Sequence, residues 1–213
     1  AVKEAISLPH INYVGLHFHI GSQILDISRF AVLSERINEL QDQLDAENIK
    51  TSTINVGGGL GVNYEYPDEH LIPDFKKYVD TFRQFLKLRS GQQVHFELGR
   101  SIVAQCGTLI SRVLYVKEGH HKKFLILDAG FTDLIRPAMY NAFHLAQNLT
   151  ATTKKIEKYD IVGPICESSD IFIKDFYMPE GGDLIAFRSA GAYGEIMASQ
   201  YNCRSLPNSI VSE

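Results

Sequence analysis

A partial β/α layer followed by a mostly β domain is the fold class that the 213-residue sequence predicts. Three observations carry it. Up to about residue 106, short apolar strand-like runs alternate with amphipathic helical stretches. Each of the first two runs is followed by a helix-length crossover, which demands parallel pairing. Beyond that point helical periodicity gives way to five β-rich runs separated by glycine-rich or polar breaks.

In chain order, "INYVGLHFHI" (11–20) is rich in β-branched and aromatic residues and predicts a buried strand. A helix follows from about Ser28 to Glu47, with Leu33, Ile37, Leu40 and Leu44 on one face. "STINVGGGLG" (52–61) is a second strand running into a glycine turn. A second helix starts near Pro73, a residue favoured at the first helical position, and buries Phe75, Val79, Phe82 and Leu86. After Gly91, "QVHFELGR" (93–100) makes the third strand.

The second half holds strands in "TLISRVLYVKEG" (108–119), "KKFLILDAG" (122–130), "YDIVGPIC" (159–166), "DIFIKDFYM" (170–178) and "GDLIAFRSAGAYG" (182–194). "EGHHKK" is a hairpin turn between the first two, "TTKKIEK" (152–158) is expected to be a solvated loop, and one helix is expected near Ala192–Gln200. Three parallel strands are few for a free-standing α/β domain. The chain also opens inside a helix-like segment and stops at "SIVSE", so it is expected to be part of a longer protein.

Composition narrows the function classes. A hydrophobic fraction of 45% and a charged fraction of 22% are ordinary for a soluble globular protein. A net charge of −4 gives no electrostatic case for nucleic acid. No apolar run approaches the roughly 18 residues of a membrane span, and "AVKEAISLPH" lacks the apolar core of a signal peptide. Cys106, Cys166 and Cys203 are odd in number and form no CxxC pair. That points to a reducing, cytoplasmic setting, without a disulfide framework or a cysteine zinc site.

Three motifs fall at the C-terminal ends of the parallel strands, where ligands of such sheets bind. In "GLHFHIGSQ" (15–23), strand alternation would point His17 and His19 to the same face. Such a pair could begin a metal site or lay one imidazole against a cofactor. For zinc, His17 and His19 would need a third ligand, and none has suitable spacing nearby; His95 and Glu97 offer an i, i+2 pair that makes a zinc site conceivable, but no metal is expected. "VGGGLG" (56–61) lets the backbone approach an anion with free N–H groups, or is a plain tight turn. "FELGR" (96–100) sets Glu97 and Arg100 three residues apart, as site residues or as a structural ion pair. Neither GxGxxG, the Walker lysine nor GxSxG occurs. In the β half, Arg136 and Tyr140 are spaced to share one helical face, and Cys166-Glu167 pairs a thiol with a carboxylate at a strand end.

Taken together, "GLHFHIGSQ", "VGGGLG", "DAGFTDLIRPAMY", "GPICESSD" and "GAYGEIMASQYN" resemble, in order and spacing, the diaminopimelate decarboxylase family. These are pyridoxal 5′-phosphate (PLP) enzymes of the alanine-racemase-like, fold type III class. The resemblance implies the second half of a (β/α)8 TIM-type barrel over 1–107, followed by a β domain over 108–213. It also implies a homodimer with shared active sites.

By carry-over, His19 stacks on the PLP ring, while Ser22 and the backbone of Gly57, Gly58 and Gly59 cradle its phosphate. Glu97 meets the ring nitrogen, with Gly99 and Arg100 beside it. Arg100, Arg136 and Tyr140 hold a substrate carboxylate, and Tyr193 approaches PLP from the β domain. Cys166 resembles the family's proton donor and Glu167 its reader of the distal amine. His17 receives no role and is expected to sit in the core. The family's Glu-Pro-Gly-Arg reads "ELGR" here, with Leu98 for proline, and its Schiff-base lysine lies in an early barrel strand outside this chain. Lys3 lacks that motif's surroundings.

The implied reaction is decarboxylation of meso-diaminopimelate to L-lysine, with the 213-residue chain not competent alone. Ornithine or arginine decarboxylation is the neighbouring alternative, against which "CESSD" favours diaminopimelate. A non-catalytic, partner-binding protein of the same fold is the other, and it has no need of Cys166, Glu167, Arg136 and Tyr193 together.

Overall fold

Three short parallel strands, β1 (Gly15–His17), β2 (Thr53–Asn55) and β3 (Gln93–His95), lie side by side in that order. The computed structural model describes residues 1–212. It divides into one unit of Ala1–Val62 with Ile72–Ser101 and a second of Asn63–Leu71 with the chain from Ile102 onward.

In the first unit the register aligns His17 with Asn55 and Asn55 with His95. Each strand is shorter than its apolar run suggests, because the backbone turns at its C-terminal end; in β2 the turn comes at Gly57, whose φ is +71°. The slanted ladder still continues past the ends, through Phe18 N–H to the Asn55 carbonyl (2.8 Å) and Glu97 N–H to the Gly57 carbonyl (2.8 Å). His19 therefore stands in a loop beyond β1, and strand alternation does not set its direction.

Besides the short α1 (Val2–Ser7), two helices flank the strands: α2 (Ser28–Ala46) and α3 (Phe75–Phe85). The buried stripe of α2 is Phe30, Leu33, Ser34, Ile37, Asn38 and Gln41. Leu40, expected inside, is exposed, and Leu44 is half-buried. The inward polar residues explain the rotation. Asn38 donates to the Phe85 carbonyl and accepts from Lys87 N–H, both at 2.8 Å, tying α2 to the end of α3. α3 is capped by Asp74, whose carboxylate accepts from Lys77 N–H at 2.8 Å; Pro73 precedes the cap instead of opening the helix. Tyr78 and Phe82 are buried, whereas Phe75 and Val79 are half-buried. Phe30 meets Tyr78 edge-on at 4.7 Å between ring centres, at the heart of a core that includes Ile37, Ile54 and Val56.

The second unit is a six-stranded mixed sheet. Its strands are β4 (Leu109–Glu118), β5 (Lys123–Leu127), β6 (Ala146–Asn148), β7 (Ile156–Val162), β8 (Ile171–Pro179) and β9 (Leu184–Phe187), ordered β6-β9-β4-β5-β7-β8. β5 and β7 run parallel and the other pairs antiparallel. The β4–β5 hairpin closes with Gly119 N–H to the Lys122 carbonyl at 2.8 Å. Leu127, Ile161, Ile185 and Phe187 lie in the core, where Phe172 and Phe187 stack at 4.4 Å.

Two expectations need correction. The end of "TTKKIEK" is the start of β7; Lys155, just before the strand, pairs with Glu157 within it (2.7 Å) and with Glu180 just past β8 (2.9 Å), so neighbouring opposite charges offset the cluster. The helix expected near Ala192–Gln200 is instead two 3₁₀ turns, Glu195–Met197 and Tyr201–Cys203. Left-handed backbone at Tyr193, Asn202 and Cys203 breaks any longer helix. Short helices α4 (Arg100–Val103) and α5 (Arg136–Tyr140) complete the chain, the latter ended by Asn141 at φ +52°. No helix among the described residues is long and apolar enough to cross a membrane.

Candidate active site

The C-terminal ends of β1, β2 and β3 bring one hydrogen-bonded chain of side chains together. Gly57 N–H donates to Asn55 Oδ1 at 2.8 Å, Asn55 Nδ2 donates to Glu97 Oε1 at 2.9 Å, and Glu97 Oε2 lies 3.0 Å from His17 Nε2. The Asn55 amide and then the His17 imidazole hold the Glu97 carboxyl below its ordinary range, with the charges of His17 and His19 adding to them. His17 is thus an exposed partner of Glu97, not the core histidine expected. The register makes this possible: His17 and Asn55 are direct neighbours across the sheet, and Glu97 follows β3 by two residues.

His19 sits beside the glycine turn, with Gly58 N–H 3.5 Å from its Nδ1. The glycines are there because the loops approach closely. A Cβ on Gly57 would collide with the Phe18 carbonyl oxygen, and one on Gly58 with that of Glu97. Ser22 Oγ accepts from Arg100, at 3.3 Å from Nε and 3.1 Å from Nη2, so the hydroxyl proton stays free to turn outward. His19, Ser22, Gly57–Gly59, Glu97 and Arg100 therefore gather at one end of the three strands.

In the second unit Arg136 is nearly inaccessible, at 6% exposure. Its Nη1 donates to His144 Nε2 at 2.8 Å and to Tyr64 Oη at 3.3 Å, and its Cζ lies 5.1 Å from the centre of the Tyr64 ring. Among the described residues no carboxylate forms an ion pair with it. A buried cation with neutral partners is costly unless an anion arrives. Tyr140, at the other end of α5, is exposed, so one helical turn does not give the two side chains one environment.

Cys166 and Glu167 are exposed in the loop between β7 and β8. Tyr201 donates its hydroxyl to Glu167 Oε1 at 2.6 Å, and this hydrogen bond raises the phenol's pKa. The loop is braced by buried Asp170, whose carboxylate accepts from Ile165 N–H (2.7 Å) and Phe131 N–H (2.6 Å), and whose pKa burial raises. Tyr193 is partly exposed, in left-handed backbone at φ +65°. Asn55, Tyr64 and His144 were not nominated from sequence. Asn55 stands at a strand end just before the glycine turn, which is a readable signal for it; nothing near "GVNYEY" announces Tyr64.

A family model described as the C-terminal sheet domain of pyridoxal-dependent decarboxylases matches residues 19–191. The chain is 58% identical, over its whole length and 55% of the relative's, to a protein named diaminopimelate decarboxylase from Bacteroides thetaiotaomicron. It is 43% identical, over 90% of its length and 47% of the relative's, to one of that name from Helicobacter pylori. Among solved structures it resembles diaminopimelate decarboxylase from M. jannaschii, with a TM-score of 0.86 and 36% identity over 97% of this chain and 48% of that one. It also resembles the Helicobacter pylori enzyme complexed with L-lysine, with a TM-score of 0.82 and 40% identity over 94% of this chain and 49% of that one. The chain spans about half the length of the curated relatives it matches.

Proposed function

The chain belongs to the pyridoxal-dependent decarboxylases, and from that premise we propose that the whole protein removes one carboxyl group from meso-diaminopimelate to give L-lysine. The single observation that carries the reading is Glu97, a carboxylate held ionised by Asn55 and His17 where parallel strands end. In this reading residues 1–107 are the later part of a (β/α)8 barrel and 108–213 the β domain. The protein is a cytoplasmic homodimer with shared active sites.

The residues present fit PLP: an anionic carboxylate suits its ring nitrogen, an imidazole its flat face, and a hydroxyl with backbone N–H groups its phosphate. When bound, that group supplies a sink for the electron pair left behind as carbon dioxide departs. Glu97 holds a proton on the ring nitrogen, which strengthens that sink. His19 covers the ring, and Ser22 with the Gly57–Gly59 turn takes the phosphate, next to Gly99 and Arg100. Arg100, Arg136 and Tyr140 serve the substrate carboxylate; a guanidinium can engage both oxygens at once. Tyr193 would be the β domain's contribution to holding the cofactor. Cys166 Sγ delivers the proton that replaces the lost carboxyl group, and Glu167 accepts from the distal ammonium.

The test is lysine release from meso-diaminopimelate by the full-length protein loaded with PLP. Stoichiometric lysine, lost on Glu97→Ala substitution, is expected. Release of putrescine from ornithine in place of lysine would overturn the substrate, and undiminished turnover by the Glu97→Ala variant would overturn the role of the carboxylate.

A further inference from the structure

We propose that His144 is a positioning residue: a neutral imidazole, locked in one tautomer, that aims the Arg136 guanidinium at the substrate carboxylate. This rests on the reading that Arg136 takes that carboxylate.

The tautomer follows from the partners. His144 Nδ1 lies 3.0 Å from the Arg188 carbonyl oxygen, which can only accept, so Nδ1 carries the proton. Nε2 lies 2.8 Å from Arg136 Nη1, which can only donate, so Nε2 offers its lone pair. A second proton on the ring would set an N–H against the guanidinium. The ring has little room to turn, being 1% exposed and edge-on to Tyr64 at 5.1 Å. Its backbone is anchored as well. Arg188 N–H donates to the Leu145 carbonyl at 2.9 Å, one residue from the Ala146–Phe187 pairing of β6 and β9.

The choice of residue has a chemical reason. An acidic side chain at position 144 would orient Arg136 equally well but would cancel its charge, competing with any incoming carboxylate. A neutral acceptor orients without neutralising. The hydrogen bonds to Tyr64 and His144 both leave from Nη1, and a guanidinium has five N–H donors, so it keeps donors for a ligand.

Three variants of the full-length holoenzyme test this. Asn in place of His144 can still donate toward the Arg188 carbonyl but cannot reach Arg136; Gln can put an acceptor near the Nε2 position. His144→Asn should raise KM for diaminopimelate roughly tenfold, the loss of one hydrogen bond, with kcat little changed. His144→Gln should restore most of the affinity. Equal effects of Asn and Gln, or a fall in kcat with KM unmoved, would overturn the proposal. Arg136→Lys separates it from its premise. If that change leaves KM alone, Arg136 does not bind the carboxylate. If it raises KM while His144→Asn does not, the positioning role alone fails. Should the variants misfold, the ¹⁵N spectrum of the unmutated protein decides: a His144 imidazolium or an Nε2–H tautomer refutes the proposal, and an Nδ1–H tautomer supports it.

Discussion

His17 Nε2 lies 3.0 Å from Glu97 Oε2, joining the ends of two strands that are not neighbours in the sheet, β1 and β3. With Asn55 on the other oxygen, the Glu97 carboxyl should titrate below its ordinary 4.5. Asn55→Ala and His17→Ala should each raise that value, because the Asn55 hydrogen bond and then the hydrogen bond and charge of His17 lower it. Carboxyl-carbon NMR titration of the three proteins reads both shifts directly. A folded-state pKa below the unfolded one stabilises above about pH 4.5 and loses that contribution as pH falls through the lowered value.

Gly57 and Gly91 separate two reasons for glycine. Both have left-handed backbone, at φ +71° and +80°. An alanine Cβ at Gly57 would strike the Phe18 carbonyl, whereas nothing lies within 4 Å of one at Gly91. Gly91→Ala should cost about 1 kcal/mol of conformational strain, and Gly57→Ala clearly more. Urea midpoints at constant m-value give the comparison, and equal costs would show that close loop packing is not what requires glycine at 57.

Tyr78 is fully buried in the helix–strand core, and its hydroxyl finds no hydrogen-bond partner among the described residues. Burial pushes its pKa up to about 12. Tyr78→Phe removes an unsatisfied polar atom while keeping the ring against Phe30, so stability should rise by about 1 kcal/mol. A thermal midpoint lower than that of the unmutated protein would contradict this.

Glu167 should govern substrate affinity rather than cofactor content. Glu167→Gln keeps the shape and loses the charge, so diaminopimelate binding in the full-length enzyme should weaken, read as a rise in KM. PLP content should not change. The same substitution weakens the acceptor of the Tyr201 hydroxyl, so the phenol should return toward its ordinary pKa of 10, which ultraviolet titration detects. An unchanged KM with loss of PLP would reverse the assignment.

The parallel layer was legible because hydrophobic runs and helix-length crossovers leave few topologies open. The β-rich second half was legible from its alternating apolar runs, down to the "EGHHKK" hairpin. Finer features were hidden where polar contacts override apolar periodicity. Asn38 and Gln41 turn α2 inward in place of Leu40, because both satisfy backbone groups near the end of α3. β6, "AQN", has too few residues to carry a pattern. In the candidate site, strand-end position brought His19, the glycine turn and Glu97 into view. The partnership of His17 with Glu97 depends on register between strands, which one strand's sequence does not contain. His144 was invisible for a similar reason: its Nδ1 partner is a carbonyl 44 residues downstream.

Asp68 belongs to the short stretch 63–71 that folds with the second unit, and it accepts from Arg188 Nη2 at 2.8 Å across 120 residues of sequence. On a ribosome adding about 5–20 residues per second, Asp68 emerges on the order of ten seconds before its partner has been made. Tyr64 likewise precedes Arg136 by 72 positions. While the strands and helices on either side of it can already pair, this stretch waits, water-exposed, for half a chain to be translated. A nascent protein paused before residue 188 would therefore carry a stretch at 63–71 that lacks the Asp68–Arg188 ion pair tying it down in the finished protein, and that proteases would cut more readily.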